Sequence, residues 1–399
     1  MESGTAGKPD GGAEIGQLLG RVGALAPVIG AAAGDAEQAR RLPAALVSAL
    51  HDAGLYRLLL PKTFGGAEIG PPDFFQVIEA VAKHDASTAW CLCQANGCAM
   101  AAAYLEPAVA EEIWGRNPEA VVAWGPGKAE AVADGDHYRV TGHWSFASGG
   151  HQATWFGGHS VLVESDGSPR LGTDGATMIR TMLFPATAAS VTQVWDVIGL
   201  CGTGSDDFAV TDLPVPRECS LAREDPAERR LDAPLYQFPA MSLYAAGFSG
   251  TALGIARAML EGFKELAAEK TPRLTRHRLS DDALVQADVA LAEARLGAAR
   301  AFLISELRDI WAGVVASGRL SVAQRMRIRL AATHAIHEAK AVADSAYEGA
   351  GATAIFAGRA FERRFRDIHT VVQQLQGRKS HFRAVGAYLL GHPPDMTVI

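Results

Sequence analysis

The chain has 399 residues, 48% of them hydrophobic and 20% charged, a length and balance that suit two or three domains around a large core. A net charge of −7 excludes a concentrated basic face for nucleic acid as the main function. Five cysteines, an odd count in a long chain, do not make a disulfide framework and point to a reducing, cytoplasmic setting.

Residues 1–14 are small, polar and Gly-rich, without the basic start and apolar core of a signal peptide, and read as a disordered lead-in. No run reaches the roughly 20 apolar residues of a membrane helix, so no membrane partner is expected. A helical domain is predicted over 15–118. Leu42, Leu46, Leu50 and Ala53 trace an apolar face at helical spacing, and Gly54, Pro61 and Gly65-Gly66 punctuate the turns. Phe74 to Lys83 reads as an amphipathic helix, and Ser87-Thr88 precede a long apolar one from Ala89 to Leu105. Cys91, Cys93 and Cys98 fall in this Ala-rich stretch with no His pattern nearby, which reads as core thiols and no metal site.

Over 119–230 the pattern turns to strands. His137 to Trp144 alternates with period 2, and Thr154–Val163 and Thr177–Phe184 are β-rich runs bounded by Gly, Pro and Asp. Short strands at this spacing predict a compact barrel or sandwich rather than a parallel sheet. The Gly202-Thr203-Gly204 turn sits among strands and does not open a helix, so it does not read as a dinucleotide fingerprint. From 231 to 399 the chain is helical again, with helices near 240–268, 281–315, 320–348 and 366–391 that predict an antiparallel four-helix bundle. Asp281 and Asp282 suit a first turn. The class is α+β: helices, then a β domain, then a bundle.

Five phrases sharpen this layout. They are Ala53-Gly54-Leu55-Tyr56-Arg57 with Pro61 to Gly66, Asp85-Ala86-Ser87-Thr88-Ala89-Trp90, Val140 to Gly149, Gly199 to Asp207, and Arg366-Asp367-Ile368-His369-Thr370. In this order and at these intervals they resemble the acyl-CoA dehydrogenase superfamily across nearly the whole chain. The Ser-Thr-Ala-Trp phrase and Trp144-Ser145-Phe146-Ala147-Ser148-Gly149 are similar to the branch of reduced-flavin, two-component monooxygenases.

The resemblance implies a homotetramer that takes FMNH2 or FADH2 from a separate NAD(P)H-flavin reductase. It then oxygenates a small aromatic or heteroaromatic substrate with O2, through a flavin hydroperoxide. Trp144, Ser145 and Phe146 would line the flavin, and Ser148 would donate a hydrogen bond to its N5. Period-2 aromatics suit a β core equally well, and Ser148 beside Gly149 suits a strand-end turn. Arg276, flanked by Arg273 and Arg278, would reach a neighbouring subunit's flavin phosphate, although a surface loop also explains it. Gly202, Thr203 and Gly204 would offer N–H groups and a hydroxyl near the flavin, and Trp90 would face the substrate. Turn geometry alone also accounts for the two glycines.

Two departures bear on chemistry. Nine positions after Arg366, where many dehydrogenases of this family carry a glutamate base, stands Leu375. Eight positions after Arg366, where the phenol hydroxylases carry His, stands Gln374, and Cys98 occupies the place of a second pocket His. Glutamine can orient a substrate but cannot act as a base near neutral pH. The expectation is therefore a substrate that needs no deprotonation, such as an indole, thioether or amine, with Gln374 and Cys98 beside it. His369 reads as a solvated or capping residue. A dehydrogenase or oxidase with a displaced base, and a lapsed ligand-binding paralogue, are the rival readings.

Overall fold

In the computed structural model, which describes residues 11–396 apart from 173–174, 224 and 358–359, helix α1 (Gly11–Ala39) opens the chain. It takes in Gly11 to Glu14, the end of the expected lead-in, while residues 1–10 lie outside the described residues. Contrary to the sequence reading, its stretch Glu14–Ala39, which contains an 18-residue window of mean hydropathy 1.4, is by length and composition apolar enough to cross a membrane. Its Leu18, Val22, Ile29, Ala33 and Ala36 nevertheless form one buried stripe, and the helix packs on α3 (Pro71–Ala82).

Between them lies α2 (Ala44–Asp52), and α4 (Ala86–Ala99) and the short α5 (Pro107–Ala110) follow. Asp85 starts α4 because its carboxylate accepts both the Thr88 N–H and the Thr88 hydroxyl at 2.7 Å. Within α4, buried Asn96 accepts from the N–H groups of Leu58 and Leu59 and donates to the carbonyls of Leu55 and Leu92. It thereby satisfies the irregular backbone after α2. Cys91, Cys93 and Cys98 are all buried on this helix.

Eight strands form one mixed sheet: β1 (Val122–Gly125), β2 (Gly127–Asp134), β3 (His137–Trp144), β4 (Trp155–Val163), β5 (Ile179–Pro185), β6 (Ser190–Thr192), β7 (Asp207–Pro216) and β8 (Ser220–Leu221). The order is β6-β7-β3-β2-β4-β5-β8, with β1 added beside β4. Most pairings are antiparallel, but β4 runs parallel to both β1 and β2. Tyr138, Val140 and Trp144 of β3 point inward, as the alternation predicts. Trp144 stacks on Phe208 at 4.9 Å, and Phe208 stacks on Phe156 at 4.2 Å, which makes an aromatic core.

The C-terminal region packs α6 (Ala240–Glu269), α7 (Ala283–Ser317) and α8 (Val322–Ala350) together, with α9 (Ala360–Val371) and α10 (Ser380–Leu389) after them. Helix α6 is central and closes tightly on α3. A methyl group on Gly254 would lie 2.5 Å from the Glu79 carbonyl oxygen, so only glycine allows this approach.

The expected fourth helix over 366–391 is broken. α9 stops at Val371, Gln374 is extended (φ −71°, ψ 157°), a 3-10 turn spans Leu375–Gly377, and α10 resumes at Ser380. The break is held by two residues of α8 and one of α10. His337 of α8 bonds the Gly377 carbonyl at 2.9 Å, Arg329 of α8 donates to the Gln376 side chain, and His381 bonds the Leu375 carbonyl at 2.7 Å. A helical period alone does not reveal such a tertiary override.

Candidate active site

A cavity of about 490 Å³ lies where the N-terminal helices, the sheet and the bundle meet, within the range of pockets that hold drug-sized ligands. Trp90 and Gln94 of α4 form one wall, and Met241, Tyr244 and Phe248 of α6 another. The sheet contributes Trp124, Gly125 and His159, and the loop after β3 contributes Phe146 and Ser148. The loop between β6 and β7 gives Trp195, Leu200, Thr203 and Ser205, and the α9–α10 break gives Thr370 and Gln373 to Gln376. Arg223 and Arg378 complete the lining.

The loop after β3 turns away from the strand at Phe146, which sits at φ +61°. It is zipped to the loop before β7 by Ala147 N–H on the Asp206 carbonyl (3.1 Å) and Gly149 N–H on the Thr203 carbonyl (2.9 Å). The Asp206 carboxylate accepts the N–H groups of Val194 and Trp195 at 2.7 and 2.9 Å and meets His151 Nε2 at 2.8 Å, which fixes Trp195 over the cavity. The β6–β7 loop is in turn tied to α9. Asp367 accepts the Leu200 N–H at 2.6 Å, and Arg366 donates to the Ile198 carbonyl at 2.6 Å. Burial raises the Asp367 carboxyl to about 7. The fourth and fifth sequence phrases thus meet in space.

The zip brings three hydroxyls together. Ser148 Oγ lies 2.7 Å from Ser205 Oγ, Ser205 Oγ lies 2.8 Å from Thr203 Oγ1, and Thr203 donates to the Leu200 carbonyl at 2.8 Å. Trp90 Nε1 donates to Ser148 at 3.1 Å. With Thr203's proton on Leu200, the bond between Thr203 and Ser205 requires the proton of Ser205, and the next bond requires that of Ser148. The protons therefore run in one direction, from Trp90 to Leu200, and each hydroxyl spends its single proton inside the chain.

The aromatic wall continues from this cluster. Trp90 stacks on Phe248 at 3.9 Å, Phe248 stacks on Tyr244 at 5.6 Å, and the Tyr244 hydroxyl accepts from Trp124 Nε1 at 3.1 Å. A flat heteroaromatic ring with polar edges fits this set: apolar faces, and hydroxyls at one rim. Among the described lining residues none serves as a base near neutral pH. His159 bonds Thr181 Oγ1 through Nδ1 at 2.8 Å, and burial, then the nearby Arg223 charge, hold it down at about 3.

Of the site residues expected from sequence, Trp90, Phe146, Ser148, Thr203 and Gln374 line the cavity. Trp144 does not: it is wholly buried in the sheet core and donates to the His159 carbonyl at 3.0 Å. Strand alternation alone would place Trp144 and Phe146 on one face; β3 ends at Trp144, and the left-handed turn at Phe146 separates the two. Ser145 is outside the lining, its N–H on the Pro126 carbonyl at 2.9 Å. Gly202 and Gly204 shape the turn behind Thr203, where a methyl on Gly204 would lie 2.4 Å from the Arg40 carbonyl oxygen. Cys98 is a correction. It is fully buried behind Tyr244, 3.8 Å from its hydroxyl, and burial pushes its thiol up to about 12. Gln94, one turn earlier on α4, faces the cavity instead. Arg276 is exposed in the loop between α6 and α7 and takes no part in the cavity of its own chain. His369 is partly buried, with Nδ1 2.7 Å from the Phe365 carbonyl oxygen and Nε2 3.4 Å from Asp344.

Gln374 lines the cavity, but its side chain caps the turn by accepting the Gln376 N–H at 2.6 Å, and Gln373 lines the cavity too. The helix expected over 366–391 would turn adjacent side chains about 100° apart; with no helix at that point, Gln373 and Gln374 share the cavity. Sequence reasoning missed His159, Arg223, Trp124, Trp195 and Tyr244. The β-strand alternation around His159 offered a signal; the loop residue Arg223 offered none.

Comparison with known proteins agrees with this architecture. Residues 24–111 match the family described as acyl-CoA dehydrogenase, N-terminal domain, and residues 246–376 match acyl-CoA dehydrogenase, C-terminal domain. The chain is 32% identical over 367 residues to indole-3-acetate monooxygenase of Pseudomonas putida, covering 90% of each. It is 28% identical over 393 residues to the flavin-dependent monooxygenase oxygenase subunit HsaA of Mycobacterium tuberculosis, covering 96% of this chain and 97% of that one. The crystal structure of the M. tuberculosis HsaA monooxygenase superposes with a TM-score of 0.86 at 26% identity, over 96% of this chain and 100% of that one.

Proposed function

We infer, for a chain that belongs to the acyl-CoA dehydrogenase family and to its flavin-dependent monooxygenase branch, that it oxygenates a small aromatic or heteroaromatic substrate that needs no prior deprotonation. The observation that carries this reading is the cavity itself: an aromatic wall, a hydroxyl cluster at one rim, and, among the described lining residues, no group that can act as a base near neutral pH. A dehydrogenase must remove a proton beside a thioester carbonyl, and no described carboxylate lines the cavity to do so.

Reduced flavin, when bound, supplies the two electrons by which O2 gives one oxygen atom to the substrate and the other to water. The chain's own residues hold and shield it. Phe146 and Trp195 cover one side of the cavity, with ring centres 5.9 Å apart, and restrict water. Ser148 is the donor proposed for the ring-nitrogen rim, held by Trp90 and released from Ser205 when it serves the cofactor. Gln374 and Gln373 would orient the substrate with side-chain amides that both donate and accept. Arg276 would reach the flavin phosphate of a neighbouring subunit in a homotetramer, which accounts for its distance from its own cavity. A separate NAD(P)H-flavin reductase would deliver FMNH2 or FADH2, in the cytoplasm.

The test supplies a flavin reductase, NADH, FMN or FAD, and indole-3-acetate, the compound named for the P. putida relative, under 18O2. One labelled atom in the product supports the reading. Tight binding of oxidised FAD with turnover of an acyl-CoA would replace it with the dehydrogenase reading.

A further inference from the structure

The charge of the cavity is one-sided. Among the described residues that line it are two arginines, Arg223 and Arg378, and neither an aspartate nor a glutamate. Arg378 stands exposed at the rim. Arg223 is partly buried, with its guanidinium carbon 5.4 Å from the centre of the Trp124 ring, and no ion pair joins it to a described carboxylate. A guanidinium drawn partly out of water loses hydration that only an anion or a set of acceptors replaces. Its planar fork of N–H donors matches a carboxylate, and its cation–π contact with Trp124 holds it beside the cavity.

The position of Arg223 matters as much as its charge. The contacts run from Ser148 to Trp90, to Phe248, to Tyr244, to Trp124 and so to Arg223. The hydroxyl cluster and the arginine are therefore joined by one aromatic wall. We propose that Arg223 anchors the carboxylate of an aromatic acid lying along this wall, so that the substrate is an anion oriented with its ring toward the hydroxyl end. The proposal rests on the oxygenase reading above and names the substrate class. A flavin phosphate is the other anion that could meet Arg223, and the test separates the two.

The experiment measures equilibrium binding of indole-3-acetate, indole-3-acetamide and indole to the intact protein, by tryptophan fluorescence and calorimetry, in parallel with the 18O2 assay. The acid is expected to bind about 10- to 100-fold more tightly than the amide, the size of one desolvated charge-assisted contact. Arg223→Gln removes that preference while leaving amide and indole affinities within about twofold, Arg223→Lys restores part of it, and Arg378→Gln keeps it. Equal binding of acid and amide by the unaltered protein overturns the proposal, even if Arg223→Gln does not fold. So does a preference that survives in Arg223→Gln, or failure of all three probes to bind. Weaker binding of FMNH2 but not of phosphate-free reduced lumiflavin in Arg223→Gln, with the acid preference intact, reassigns the residue to the cofactor. An acid preference that depends on Arg223 without 18O in the product leaves the anion site standing and sinks the oxygenase reading instead.

Discussion

Replacing Ser205 by alanine tests whether the hydroxyl protons at the cavity rim run in the direction derived from their partners. In the resting chain the Ser148 proton lies on Ser205, so Ser148 must give up that bond before it donates elsewhere. A neutral hydroxyl bond contributes about 0.5–1.5 kcal/mol net, and one to a charged or reactive acceptor about 1.5–3 kcal/mol. Ser205→Ala frees Ser148 at the outset, which favours reduced-flavin binding by about 1 kcal/mol, or roughly fivefold in Kd. Losing two bonds should lower stability by about 1–2 kcal/mol. Ser148→Ala should do the opposite to the flavin: weaker capture and more H2O2 released per O2 consumed. Thr203→Val, which leaves Ser205 nothing to donate to except Ser148, should resemble Ser205→Ala in capture. Anaerobic titration with FMNH2 and FADH2, coupling measurements and urea unfolding give the three quantities. If Ser205→Ala weakens capture and raises H2O2 as much as Ser148→Ala does, the proton order is wrong.

Trp90→Phe keeps the stack on Phe248 but removes the N–H that holds Ser148, so H2O2 release should rise severalfold with less than about 1.5 kcal/mol lost in unfolding; an unchanged coupling ratio refutes the role given to Trp90. Gln374→Ala should lower stability by about 0.5–2 kcal/mol through loss of its turn cap, whereas Gln373→Ala should leave melting unchanged and raise the substrate KM; the reverse pattern would contradict the geometry. Asp367 carries the pH dependence. Burial raises its carboxyl from 3.8 to about 7, so the folded chain keeps a proton that the unfolded chain has already released. Its contribution to stability therefore falls as pH rises from about 4 to about 7, by up to about 1.4 kcal/mol per unit, and levels off above. Asp367→Asn should flatten that part of the profile, and parallel profiles for the two proteins would refute it.

Much of the architecture was legible because it rests on local signals. Strand alternation marked Trp144, and long Ala- and Leu-rich runs marked α6, α7 and α8, whereas α4 starts at Ala86 on its Asp85 cap, three residues before the Ala89 start expected behind Ser87-Thr88. The hydroxyl half of the site was legible in part, since Ser148 and Thr203 lie in phrases with a recognisable order. What stayed hidden depends on contacts distant in sequence. The break after Val371 is imposed by His337 and Arg329 of α8, which no window around residue 374 contains. Cys98 matches a pocket His of the phenol hydroxylases by position along the chain, but one turn of α4 is enough to put it behind Tyr244 and leave Gln94 facing the cavity. Arg223 lies in a loop without period or cap, so only the folded chain reveals its place over Trp124.

The tie between Leu200 and Asp367 spans 167 positions, and the one between Ile198 and Arg366 spans 168. Loops of that length close late, after nearer contacts have formed. As the chain leaves the ribosome, α4, the sheet and much of α6 exist before α9 has been made. Until that helix arrives the wall bearing Leu200 and Thr203 lacks its ties to Asp367 and Arg366, while its bonds to the loop after β3 remain. The cavity wall is thus fixed in full only once a helix some 167 positions further along has been made, so a chain that lacks it holds an open cavity.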